Sequence, residues 1–152
     1  MAYDGWRRSD AWIFVAVVMA NGAGRHRRSA TTRRPEGVRL TDVLSMADHL
    51  YRALPGRADV ENAVRRLSGA GLVSVVDGWF RVTPAGEQLW RNRPRIGVGT
   101  AVDTVYRTLS RRYPADATEW TLDEEEHAAA VLEHAGRYGG NVPGPRRSPE
   151  ND

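Results

Sequence analysis

The chain has 152 residues, 41% of them hydrophobic, with no cysteine and a formal charge of +3 whose basic side is 22 arginines and no lysine. A chain of this length can bury one real core, so one domain with appendages is expected; the lack of cysteine excludes disulfides and thiolate metal sites and permits a reducing compartment. The most apolar run, Ala11 to Ala20, is ten residues long, well short of the roughly 20 that cross a bilayer, and no signal-peptide pattern surrounds it, which makes the cytoplasm the default location.

Taken in order, residues 1–8 read as a flexible lead unless Trp6 docks. Ser9 or Asp10 can cap a first helix whose apolar residues, Trp12, Ile13, Phe14, Val15, Val17, Val18 and Met19, lie nearly all round it. Such a helix must be covered on several sides, and a second copy of the chain is one way to cover it. Residues 21–37 form a polar, glycine-bearing loop. Its Arg25, Arg27, Arg28, Arg33 and Arg34 repel one another and keep it solvated and mobile. The functional reading is a basic arm laid along phosphates; the plain alternative is a solvated insertion without a partner.

Val38 to Leu40 can supply a short third strand. Thr41 then caps a helix carrying Val43, Leu44, Ala47, Leu50 and Tyr51. Pro55, within Ala53-Leu54-Pro55-Gly56, prevents that helix from continuing. From Ala58, Val60, Ala63, Val64, Leu67 and Ala70 recur at spacings of three and four, the stripe of a helix that Gly71 can end in the left-handed conformation. Leu72 to Val76 and Trp79 to Val82 are β-branched and aromatic runs. Asp77-Gly78 between them favours a type I′ turn, so a tight hairpin is predicted. Thr83 and Pro84 suit the N-cap and first position of the next helix.

Arg91-Asn92-Arg93-Pro94-Arg95 is a charged hinge. Beyond it a helix from about Thr100 to Arg112 carries Val102, Val105, Tyr106, Leu109 and Tyr113 on one stripe. A last helix opens with Thr121 and Glu124 in a capping-box relation, with Ala128, Val131, Leu132, Ala135 and Tyr138 as its apolar face. Two such helices cannot hide both stripes alone, so they must pack back on the first helix or on a second copy. Residues 139–152, rich in Gly, Pro and Arg, read as a disordered tail.

The string from Asn62-Ala63-Val64-Arg65-Arg66-Leu67 through Ala70-Gly71-Leu72-Val73 to Phe80-Arg81-Val82-Thr83-Pro84-Ala85-Gly86 resembles the second half of a winged helix-turn-helix domain of the MarR-like and PadR-like group. The resemblance implies a mainly α fold with a small β-hairpin wing, a winged-helix domain over residues 9–93, and a C-terminal helical pair over 94–138 that serves dimerisation. It departs from that group in a longer connection between the two central helices. It also implies a recognition helix whose exposed face holds Arg57, Asp59, Glu61, Asn62, Arg65, Arg66 and Gly69. Winged helices bind DNA, RNA and proteins alike, so fold analogy does not decide the function.

Through Arg95 the sequence carries a net +7, and from Ile96 onward −4. The basic excess coincides with the region that would face an anionic partner. The expectation is a dimeric transcriptional regulator on duplex DNA. Arg57, Asn62, Arg65 and Arg66 would reach phosphates or base edges, Arg81 would serve as the wing's phosphate contact, and the arginines of the 21–37 loop would supply an arm. Asp59, Glu61 and Asp77 point instead to a protein-interaction module. His127 and His134 are seven residues apart, too far to share one metal ion easily, and read as solvent-facing. With no phosphate loop, metalloprotease helix or nucleophile elbow, neither enzymatic activity nor a cofactor is expected.

Overall fold

A helix that is apolar on all sides can only be stable at the centre of a protein, and Arg8–Ala20 (α1) lies there. The computed structural model describes residues 5–22, 36–94 and 101–138. Ile13, Phe14, Val15, Ala16, Val17 and Val18 are fully buried. The elements that cover α1 are Leu40–Tyr51 (α2), Arg57–Gly69 (α3) and Ala101–Arg112 (α5). The described residues thus form a mainly helical α+β chain of six helices and one two-stranded antiparallel sheet. None of the helices among them is long and apolar enough to cross a membrane. The loop expected over 21–37 and the tail over 139–152 fall largely or wholly outside the described residues.

The middle of the chain follows its local signals. The α3 stripe of Val60, Ala63, Val64 and Leu67 is buried, and Gly71 takes the left-handed conformation just after the helix. Strands Val73–Val76 (β1) and Trp79–Val82 (β2) pair with Val75 opposite Phe80. Asp77 and Gly78 both have positive φ, as a type I′ turn requires. Thr83 caps Pro84–Asn92 (α4): its Oγ1 accepts from the Gly86 amide and donates to the Gly71 carbonyl, tying the helix to the end of α3.

Helix starts differ from expectation in a consistent way. In α1 and α2 the acid sits three residues inside rather than at the cap: the Asp10 carboxylate accepts from the Arg7 amide at 2.8 Å, and that of Asp42 from the Arg39 amide at 3.0 Å. Thr41 is therefore not a cap; it is buried and donates to Glu133. Because Arg39 already caps α2, the strand expected at Val38–Leu40 shrinks to one bridge between Val38 and Phe80. The lead segment is likewise anchored at its end, where Trp6 is buried and its Nε1–H donates to the Tyr113 carbonyl at 2.7 Å.

The two C-terminal helices pack back on the rest of the chain, α5 along α1 and Glu124–Tyr138 (α6) along α2. Burial of Val102, Val105 and Leu109 agrees with the α5 stripe. The expected apolar face of α6 is corrected. His134 and Ala130 are the buried positions, with His127 and Val131 half-buried beside them, while Ala128, Leu132 and Ala135 face solvent. Its start is also shifted, since the Asp123 amide donates to Glu126 rather than Thr121 pairing with Glu124.

Candidate interaction surface on helix α3

Helix α3 turns one face to the core and offers the other to whatever lies outside, and its outward residues are polar except at Ala58 and Gly69. Between α5 and α6, residues 113–123 run without helix or strand across that outward face. We refer to this segment as the strap. It is held mainly through its backbone. Arg57 Nη1 donates to the Leu122 carbonyl at 2.9 Å and Arg65 Nε to the Trp120 carbonyl at 2.7 Å. Glu61 Oε2 accepts from the Leu122 amide at 2.9 Å. The Thr118 amide donates to the Arg65 carbonyl at 3.0 Å. That carbonyl can be reached because Gly69, one turn further on, has no side chain: a Cβ there would overlap the backbone carbonyl of Asp116.

Two side chains anchor the strap. Leu122 is buried, which contributes about 1.5 to 3 kcal/mol. Trp120 meets Phe80 of the hairpin edge-on, centroids 6.0 Å apart. The remaining strap residues from Asp116 to Asp123 are exposed.

Three of the charges on α3, those of Arg57, Glu61 and Arg65, satisfy one another. Glu61 lies 3.1 Å from Arg57 and 3.8 Å from Arg65, one turn to either side. Its carboxyl is held below the usual glutamate range, first by the hydrogen bond from the Leu122 amide and then, against the opposing effect of burial, by Arg57 and Arg65. Arg66 faces the other way. Its Nε and Nη2 form a fork on the two carboxylate oxygens of Asp10, at 2.7 and 3.0 Å, and Asp10 is fully buried.

Of the residues expected to meet DNA, Arg57 and Arg65 are thus turned onto the strap and Arg66 onto α1, while Asn62 and Arg81 remain exposed. Arg25, Arg27, Arg28, Arg33 and Arg34 lie outside the described residues. Acids surround the exposed remainder: Asp59 on α3, Asp77 at the hairpin tip, Asp116, Glu119 and Asp123 on the strap, and Glu124, Glu125 and Glu126 opening α6 are all exposed. The strap was nearly illegible in the sequence, because on its side the hydrogen bonds use backbone groups that every residue has. Trp120 and Leu122, two apart in a polar stretch, were the one available cue.

A second polar cluster joins α6 to α2, and it corrects the reading of both histidines as solvent-facing. His127 Nε2 donates to the Pro55 carbonyl at 3.0 Å. His134 is wedged between Ser45, 2.8 Å from its Nδ1, and Asp48, 3.1 Å from its Nε2. A carboxylate can only accept, so Nε2 carries a proton, and Nδ1 shares a hydrogen bond with the Ser45 hydroxyl. Ser, His and Asp together are the components of a nucleophilic triad. Ser45, however, lies inside α2, where the surrounding amides are committed to helix bonds and offer no oxyanion site. The cluster is a clamp between helices, extended by Arg137, which bonds Asp42 at 2.8 Å and Glu133 at 3.3 Å. Among the described residues no group of three or more His, Asp or Glu side chains is placed to hold a metal ion.

No family model matches the chain, and neither the curated proteins nor the solved structures contain a significant match to it.

Proposed function

We propose that the chain is a winged helix-turn-helix domain, similar to the MarR-like and PadR-like group, that acts as a protein-interaction module. The order of α2, α3, hairpin and α4 supports the winged-helix assignment, with α3 in the recognition position and β1–β2 as the wing. The observation that carries the interaction reading is the occupation of α3. The side chains that would have reached phosphates or bases hold an extended peptide segment by its backbone, and the surface around them is acidic. Carboxylates near a duplex repel its phosphates, whereas a helix face with both signs of charge suits a polypeptide, which offers donors and acceptors together.

The test is titration of the full chain into a randomised duplex pool at two salt concentrations. The expected result is weak binding at most, sequence-independent and lost at the higher salt. Selection of a preferred site from the pool, with that preference lost in Asn62→Ala, would overturn the reading.

A second reading, a DNA-binding transcriptional regulator working as a dimer, is favoured by one observation: the net +7 carried by the sequence through Arg95. On that reading the contacts to duplex DNA come from Asn62, Arg81 and the 21–37 arginines, and attachment is chiefly electrostatic. The dimer no longer follows from the need to cover α1, which α2, α3 and α5 of the same chain already cover. In either reading the protein works in the cytoplasm and without a cofactor.

A further inference from the structure

We propose that the trough bounded by α3, the hairpin and α6 is a binding site for an extended peptide segment of a partner protein, one carrying an aromatic residue and a leucine two positions apart, and that residues 114–123 are its occupant in cis. The proposal rests on the interaction-module reading above and names the surface and the ligand chemistry of that module.

The contacts divide as in peptide recognition generally, where backbone groups give attachment and side-chain pockets give selectivity. Arg57, Arg65 and Glu61 bind two carbonyls and one amide, groups that any extended peptide presents. Gly69 leaves a place for a further stretch of backbone whatever its side chains are. Selectivity comes from two places: the edge of Phe80, taken by Trp120, and the buried position taken by Leu122.

The occupant is built to be exchangeable. It has no secondary structure of its own, and between Asp116 and Asp123 only Trp120 and Leu122 are withdrawn from solvent. A cleft of about 830 Å³ runs beside it, lined by Arg39, Thr41, Val75, Trp120 and Ala130, so an incoming segment can reach the anchors. A tethered occupant competes at high effective concentration, and a partner binds only in proportion to the fraction of molecules whose strap is open.

The experiment uses a fluorescein-labelled synthetic peptide with the sequence of residues 114–123, titrated with full-length protein and followed by anisotropy. The Trp120→Ala/Leu122→Ala chain should bind it at least about tenfold more tightly than the wild-type chain does, because its own strap competes less. Adding Gly69→Ala or Arg65→Ala to that chain should weaken the binding, and a peptide carrying the same two alanines should not bind. If the strap variant keeps a cooperative unfolding transition and binds no better than wild type, the proposal is overturned.

Native-state hydrogen exchange on the unmodified chain tests it independently of that variant. The Thr118 and Leu122 amides should exchange through local opening, at least about a hundredfold faster than the Val64 amide within α3. Exchange of all three only through global unfolding overturns the proposal as well. So does preferential binding of a duplex, rather than the peptide, by the strap variant. Site-specific DNA binding by the wild-type chain would instead remove the interaction-module reading itself, an outcome separable from the peptide titration.

Discussion

Arg65 and Arg66 are neighbours in sequence with the same chemistry, and the structure gives them unrelated work. Arg66 meets a fully buried carboxylate with its own side chain only 17% exposed, whereas Arg65 is a third exposed and bonds a strap carbonyl. Removing one member of a buried pair strands the other, so Arg66→Ala should cost about 3 kcal/mol. Arg65→Ala should cost less than about 1 kcal/mol. Urea denaturation with unchanged m-values checks both, and equal losses would mean that the pairing with Asp10 is not the stabilising one. The sequence could not separate the two arginines, because Asp10 comes from a helix far away in the chain and its α1 position read equally well as a cap. Glu61 carries a second prediction. Its folded-state pKa lies below its unfolded value, so its contribution to holding the strap is fully present above about pH 4.3 and is lost as the pH falls through the lower folded value. The Leu122 amide resonance should therefore titrate with a midpoint below the ordinary glutamate value, and Glu61→Gln should abolish the titration. A midpoint at or above the ordinary value would contradict the hydrogen bond.

Among the elements, α3, the hairpin and the start of α4 were legible because their signals are local: a buried stripe at helical spacing, an Asp-Gly turn, and a Thr-Pro cap. Helix α6 was misread, although its helical character was not. Its more apolar stripe of Ala128, Leu132 and Ala135 faces solvent, while the face bearing His127, Ala130 and His134 meets α2. The reason lies across the interface. Helix α2 presents Thr41, Ser45 and Asp48 toward α6, and those groups demand polar partners more strongly than Leu132 demands burial. Exposing one leucine costs little beside leaving buried Thr41 and His134 and half-buried Ser45 and Asp48 unpaired. Leu132, at 72% exposure, should accordingly tolerate Ser within about 0.5 kcal/mol. His134→Ala should cost about 1 to 3 kcal/mol by stranding Ser45 and Asp48. Thermal melts of the two variants decide between the faces, and a larger loss for Leu132→Ser would restore the apolar stripe as the packed one.

At the scale of the whole molecule, the architecture is set by the single requirement that α1 be covered, and the sequence stated the requirement without stating how it is met. Either a second copy or the chain's own C-terminal part would have served. In the structure α5 closes the side of α1 that α2 and α3 leave open, bringing Val102, Val105 and Leu109 into the one core. Across the boundary expected near Arg93, α5 thus packs on α1 and α6 on α2, and the α5 and α6 regions differ in what they contribute. Helix α5 adds those three buried apolar side chains, while the strap and α6 together bury Leu122 and Ala130, pack Trp120 and Val131 only in part against the core, and are held for the rest by polar contacts. Buried apolar area provides most of the driving force for folding. Truncation after Arg112 should consequently leave a domain that still unfolds cooperatively at a lower midpoint. Truncation after Arg93 should open the apolar side of α1 to water and give an aggregating or molten chain. Far-UV circular dichroism with urea melts, run beside size-exclusion chromatography, distinguishes these outcomes. A chain ending at Arg93 that is monomeric and as stable as the one ending at Arg112 would show that α1 is covered without α5.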